Sequence, residues 1–145
     1  MNAWVVADSG LLIASVLLET HTPKAKAILQ HWMDGKIRIA APILFRYEIV
    51  AVMRKSVYRG MVTVEEAAKG RDFLFAYSVH FMIDSDLLKR AYELATQFNR
   101  PTAYDSQYLA VAERLGCEFW TADEKLYNVA GKDLTWVKWL GNFAA

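Results

Sequence analysis

Short apolar runs alternate with helical stretches along most of this chain, and that alternation leaves few folds open to it. Strands separated by helices run parallel, so the pattern predicts a three-layer α/β/α arrangement with a central, mostly parallel sheet covered on both faces. Trp4-Val5-Val6-Ala7 reads as a buried first strand, followed by a helix over Leu11 to Leu18. Thr22-Pro23 reads as an N-cap with proline at the first helical position, opening a helix that closes before Gly35. Ile37 to Ala40 is the second expected strand, and Pro42 opens a long helix to about Tyr58 with Gly60 as its stop. Thr63-Val64-Glu65-Glu66 has capping-box spacing and starts a helix through Phe75. Val79 to Ile83 is the third strand, and Asp84 or Ser85 caps a helix reaching Phe98. Pro101-Thr102 introduces a helix from Ala103 to Leu115, stopped by Gly116 in the position favoured for a left-handed cap. A fourth strand over Glu118 to Trp120, a short helix over Glu124 to Val129, and a last strand over Leu134 to Trp139 complete the expected order.

No repeat, low-complexity tract or linker interrupts the 145 residues, so one domain spanning 1–145 is expected, large enough for a single core. With 54% hydrophobic residues the chain is not of the disordered class. The opening residues lack a basic start and reach Asp8 too soon for a signal peptide, and the apolar stretch from Ile39 to Met53 is interrupted by Pro42, Arg46 and Glu48. One cysteine, Cys117, excludes an intrachain disulfide framework and suits a reducing cytoplasm. Seventeen Lys and Arg against sixteen Asp and Glu leave a net charge of +1, so any nucleic-acid contact has to come from a local patch.

The residues that point to chemistry are four carboxylates. Asp8 and Asp123 each follow an apolar strand directly, at the end of a parallel sheet where ligands bind, although Asp there also serves as a helix N-cap. Glu48 and Asp105 interrupt apolar helical stripes: Leu44, Phe45, Val52 and Met53 share a face with Glu48, while Tyr108, Leu109, Ala112 and Leu115 continue the stripe that Asp105 begins. A carboxylate aimed at a core costs several kcal/mol, at order-of-magnitude level, unless an arginine, a helix N-terminus or a metal compensates it. The helix dipole is available to Asp105 in a first turn, and a salt bridge is the simpler alternative for Glu48, nearly two turns into its expected helix. Jointly, four acids at one sheet end repel one another without a cation, and all-oxygen ligation suits Mg²⁺ or Mn²⁺. His21, His31 and His80 are scattered without paired-ligand spacing, which excludes a structural zinc site.

The order Asp8, Glu48, Tyr104-Asp105-Ser106-Gln107-Tyr108-Leu109-Ala110-Val111-Ala112, then Trp120-Thr121-Ala122-Asp123 resembles the PIN-domain nucleases, most closely the toxin ribonucleases of toxin–antitoxin pairs. The resemblance runs from Val5 to about Trp136 and is most specific around Asp105. It implies a five-stranded sheet in the order 3-2-1-4-5 and metal-dependent hydrolysis of RNA, with Asp8, Glu48 and Asp105 as core ligands of Mg²⁺ or Mn²⁺ and Asp123 as a fourth acid. It also implies that Ser9 and Thr121 orient acids or water, that a small antitoxin protein binds the chain, and that the chain forms a homodimer. Gly10 departs from the family, which often has a second hydroxyl residue there, so one supporting hydrogen bond is expected to be missing or supplied by water.

Arg46, Arg54, Lys55 and Arg59, with Lys125 near Asp123, form the expected contact to a substrate backbone, against the alternative of a solvated charged face. Tyr47 and Tyr104 are read as packed residues, with stacking on unpaired bases as the alternative, and Trp136 and Trp139 as cover for a sheet edge or a subunit contact. Other classes with Asp after the first strand fit less well: a phosphoacceptor receiver wants an acidic pair there, and an aspartyl-nucleophile phosphatase wants a second Asp where Gly10 stands. A housekeeping RNA-processing nuclease, or a PIN-like binding module with little or no cleavage, are the remaining alternatives.

Overall fold

The computed structural model describes residues 3–144. Five strands, β1 (Trp4–Ala7), β2 (Arg38–Pro42), β3 (Val79–Met82), β4 (Glu118–Thr121) and β5 (Val137–Trp139), form one sheet in the order β3-β2-β1-β4-β5. Every pairing is parallel. The expected three-layer fold and strand order are therefore observed.

The helices are α1 (Ser9–Ala14), α2 (Thr22–Asp34), α3 (Leu44–Tyr58), α4 (Val64–Phe75), α5 (Ser85–Gln97), α6 (Asp105–Leu115) and α7 (Glu124–Ala130). Right-handed crossovers put the β1-to-β3 helices on one face and the β3-to-β4 pair on the other. Accordingly α3 and α4 pack together beside α1, while α6 lies over β1, β2 and β4 with α5 against it. Val5, Val6, Ala7, Phe119, Leu109 and Ile49 are fully enclosed between these layers. No helix among the described residues is long and apolar enough to cross a membrane.

Local chemistry explains most boundaries. Thr63 accepts from the Glu66 N–H while Glu66 accepts from the Thr63 N–H, the reciprocal cap expected for α4. Asp84, not Ser85, caps α5 by accepting from the Leu87 N–H. Gly116 closes α6 at φ 63°, a left-handed conformation that a side chain would strain.

Several boundaries differ from expectation, including the starts of α6 at Asp105 instead of Ala103 and of β5 at Val137 instead of Leu134. The helix after β1 begins earlier and ends at Ala14, because Asp8 caps it and Ser15 turns back on the Leu12 carbonyl, leaving Leu18 exposed. Thr22 lies inside α2, and its hydroxyl ties the preceding turn by accepting from the Glu19 N–H and donating to the Leu17 carbonyl. Pro42 ends β2 instead of opening α3; β1 no longer pairs with β2 there, so its missing N–H is tolerated. Glu48 consequently stands about one turn into α3, not nearly two. Trp139, on the edge strand β5, packs edge-on to His21 and stacks near Tyr127.

Candidate active site

Strand order reverses between β1 and β4, and a crevice opens at the carboxyl ends of strands at such a point. Asp8 leaves β1 and Asp123 leaves β4 at this place. From the covering layers, Glu48 comes from α3 and Asp105 is the first residue of α6. Sheet topology therefore draws together acids separated by up to 115 positions.

Asp8 is held on both carboxylate oxygens. Its Oδ1 accepts from the Leu11 N–H at 2.9 Å and the Ala122 N–H at 3.3 Å, and its Oδ2 accepts from the Thr121 hydroxyl. A Cβ at Gly10 would lie 3.6 Å from Asp8 Oδ1, so a side chain at this position would border that oxygen. Burial nevertheless dominates: it pushes the Asp8 carboxyl up to about 7 from 3.8, against the pull of its hydrogen bonds, with the Glu48 charge adding to the rise.

Glu48 is supported from two layers. Its Oε1 accepts from the Ser9 hydroxyl at 3.1 Å and from the Tyr108 hydroxyl at 2.6 Å. Both bonds fall on the same oxygen, so Oε2 is left without a donor among the described residues. Burial raises the Glu48 carboxyl, the two hydroxyls oppose this, and the charge of Asp105 raises it further. The simple alternative of a salt bridge to Glu48 is not what compensates it; two neutral hydroxyls do.

Tyr108 was read from sequence only as a member of an apolar stripe. It is 2% exposed and stacked on Phe119, with ring centroids 5.8 Å apart. Burial and the Glu48 carboxylate raise its phenol far beyond the usual range, keeping it a donor at any working pH. Its signal was present, since a tyrosine three residues after Asp105 in a buried stripe needs a partner for its hydroxyl. Tyr108→Phe keeps the stacking and removes the donor, and is expected to cost about 1–2 kcal/mol in a denaturant titration; an unchanged midpoint would mean the bond contributes nothing net.

Asp105 has a cation that sequence reading missed. Arg100 donates from Nη2 to Asp105 Oδ2 at 3.1 Å. The available sequence signal was an arginine just before Pro101, in the segment that opens the helix. Asp123 accepts at Oδ1 from the N–H groups of Lys125 and Leu126, so it acts as the N-cap of α7. It still communicates with Asp8, because the Asp123 N–H donates to the Thr121 hydroxyl that itself donates to Asp8.

The five basic candidates are exposed, and none pairs with the four acids among the described residues. Arg46 lies over the rings of Phe75 and Phe81, at 4.6 and 5.6 Å from their centroids. Arg54 borders a groove between α3 and α4. Lys55, seven residues beyond Glu48, returns to the Glu48 side of α3 roughly 10 Å further along. Tyr47 and Tyr104 are exposed at 67% and 56%, which corrects their reading as packed residues.

As the side chains stand, no three His, Cys, Asp or Glu residues among those described are close enough together to enclose a metal ion. The donor chemistry does suit a hard divalent cation. The acids offer oxygen donors alone, Glu48 keeps one oxygen free, and the neighbouring charges that raise Asp8 and Glu48 impose a penalty that a cation removes.

The family model described as PIN domain matches residues 5–132. Ribonuclease VapC3 of Pyrobaculum aerophilum is 27% identical over 125 residues, covering 84% of this chain and 91% of that protein. The crystal structure of PAE2754 from Pyrobaculum aerophilum superposes with a TM-score of 0.64 at 24% identity, covering 88% of this chain and 86% of the other. VapC20 of Mycobacterium tuberculosis, described as a sarcin-ricin loop cleaving toxin, superposes at 0.62 with 14% identity, covering 88% and 95%. These two likenesses concern the fold.

Proposed function

This chain belongs to the PIN-domain family, and from that premise we propose that it is a ribonuclease dependent on Mg²⁺ or Mn²⁺, acting in the cytoplasm as the toxin of a toxin–antitoxin pair. The observation that carries the reading is the placement of Asp8, Glu48 and Asp105 around the strand-order reversal, with Glu48 spending one oxygen on Ser9 and Tyr108 and keeping the other without a donor among the described residues. RNA as substrate rests on the likeness to Ribonuclease VapC3. The toxin role rests on the resemblance of the Asp105 block and the Thr121-Ala122-Asp123 turn to the toxin ribonucleases of the family.

Asp8, Glu48 and Asp105 would hold the ion, with Asp123 as the fourth acid. A bound divalent ion supplies Lewis acidity at a phosphate oxygen and lowers the pKa of a coordinated water. The chain's own residues do the rest. Thr121 and two backbone N–H groups fix the Asp8 carboxylate. Ser9 and Tyr108 occupy Glu48 Oε1 and leave its other oxygen available to a ligand. An uncoordinated carboxylate oxygen accepts the proton of the attacking water. Exposed Tyr104, next to Asp105, offers a ring to an unpaired base, and Lys55, Arg59 and Lys125 offer charge to the backbone beyond it.

Exposed Ile83, Leu88 and Tyr92 at and along α5 provide an apolar surface for the second copy of a homodimer. The decisive experiment incubates the purified protein with single-stranded and structured RNA in Mg²⁺, in Mn²⁺ and in EDTA. Cleavage only with the divalent ions is expected; equal cleavage in EDTA, or none in any condition, rejects the enzyme reading. Expression in the native host is expected to arrest growth and a small neighbouring protein to relieve it, whereas harmless expression favours a housekeeping nuclease.

A further inference from the structure

Arg100 stands in the bend between α5 and α6, and the backbone places it there. Asn99 adopts a left-handed conformation at φ 49°, and the Arg100 N–H returns to the Ala95 carbonyl at 2.8 Å, closing α5. Pro101 then directs the chain toward α6. The Arg100 side chain is largely covered, at 18% exposure, and points its guanidinium at Asp105.

Two features set this pair apart from an ordinary structural ion pair. Arg90 and Arg114 grip Glu113 and Asp84 with two nitrogens each, as a planar fork on a carboxylate should. Arg100 makes one side-chain hydrogen bond, through Nη2, and its Nε is buried with no partner among the described residues. A buried donor without an acceptor is costly, so the guanidinium is under-used where it stands. Its single acceptor, moreover, is one of the three acids that converge at the strand-order reversal.

Arg100 and a divalent cation are thus rivals for Asp105. An ion held by that carboxylate cancels the attraction on the guanidinium and repels it, while the arriving substrate brings phosphate oxygens that match its unspent donors. We propose that Arg100 is the phosphate-binding group of this site, parked on Asp105 while no divalent cation is bound and transferred to a substrate phosphodiester when the ion takes Asp105. This inference rests on the nuclease reading above, and adds to it a residue and an order of events. The exchange would keep the acids neutralised at rest and make the phosphate contact available only when the site is loaded.

The test measures two quantities that should move in opposite directions in Arg100→Gln. Mn²⁺ titrated calorimetrically into the RNA-free protein is expected to bind about tenfold more tightly than in the wild type, because a competing charge is gone. At saturating Mn²⁺, kcat/KM on a fluorogenic single-stranded RNA is expected to fall on the order of a hundredfold, because the phosphate contact is gone. A residue with only a structural role would weaken both. Mn²⁺ affinity that is unchanged or weaker, or undiminished turnover at saturating Mn²⁺, overturns the proposal. Should Arg100→Gln fail to fold, Arg100→Met retains the volume of the covered stem without its charge and carries the same two expectations. A wild-type protein that binds Mn²⁺ and cuts RNA while the variants fail these expectations leaves the nuclease reading intact; a wild type that does neither ends both.

Discussion

Asp8→Asn and Asp105→Asn are each expected to lose RNA cleavage by on the order of 10²- to 10³-fold at saturating Mn²⁺, the scale on which single electrostatic groups contribute to such reactions. The Asp8 substitution is nearly isosteric. An amide oxygen at that position can still accept from the Leu11 and Ala122 N–H groups, so the cap of α1 and the join between β1 and β4 should survive. What disappears is a charge held at the point where strand order reverses. Asn at 105 leaves the first turn of α6 equally intact and keeps an oxygen that can accept from Arg100, while the negative charge that Arg100 now faces is gone. Melting curves establish that both variants are folded, and cleavage is then followed on a labelled RNA with Mn²⁺. Wild-type cleavage by either folded variant, once contaminating nucleases are excluded, would remove that acid from the mechanism.

A second large effect is thermodynamic and runs against the usual direction for acids. The Asp8 carboxyl sits near 3.8 when free and is raised to about 7 in the folded protein, chiefly by burial. The folded state therefore binds this proton more tightly than the unfolded chain does. Stability from Asp8 is fully present below its unfolded pKa and is lost as pH rises through about 7. At about 1.4 kcal/mol per unit the full shift corresponds to roughly 4 kcal/mol, and residual solvent contact of the side chain reduces the expected loss to about 2 kcal/mol. Glu48 is raised for the same first reason and adds to it with the same sign.

Asp84, Glu66 and Glu113 are lowered by hydrogen bonds, so their contributions have the opposite sign and are lost at more acid pH. Glu19, outside the site, is raised by burial and contributes with the same sign, so the effect of the site between pH 5 and pH 8 is read as the difference between the wild type and Asp8→Asn. Urea titrations in EDTA should show the wild type less stable at pH 8 than at pH 5, with Asp8→Asn flattening that slope and exceeding the wild type at pH 8. A wild type whose stability rises steadily over this window would contradict a raised Asp8. Millimolar Mn²⁺ should restore wild-type stability at pH 8, because a ligand that binds only the folded state stabilises it by mass action.

Much of this was written locally in the chain. The apolar runs at Val5-Val6-Ala7 and Phe119-Trp120, the cap at Thr63 and the left-handed stop at Gly116 are properties of a few adjacent residues, so their places could be read without the fold. Alternation of strand and helix limited the topology to a mostly parallel sheet, whereas the strand order that puts the reversal beside β1 was implied only by the family resemblance. Glu48 and Asp105 drew attention for a physical reason, because charge is costly on an apolar stripe. Boundaries decided by competition were less legible: Pro42 satisfies either a strand end or a helix start, and its pairing with Met82 of β3 selects the strand.

Which neighbour compensates each acid was decided by tertiary structure alone. Ser9 and Tyr108 reach Glu48 across 39 and 60 positions of chain, and Thr121 reaches Asp8 across 113. No local pattern records such partners, since they meet only when α1, α3, α6 and β4 converge on one end of the sheet. The pairing of Arg100 with Asp105 is close in sequence yet depended on the left-handed turn at Asn99, which an ordinary asparagine does not announce. The identities of the acids are thus carried by the sequence, whereas their protonation, orientation and counter-charges are set by burial and by contacts that only the folded chain can make.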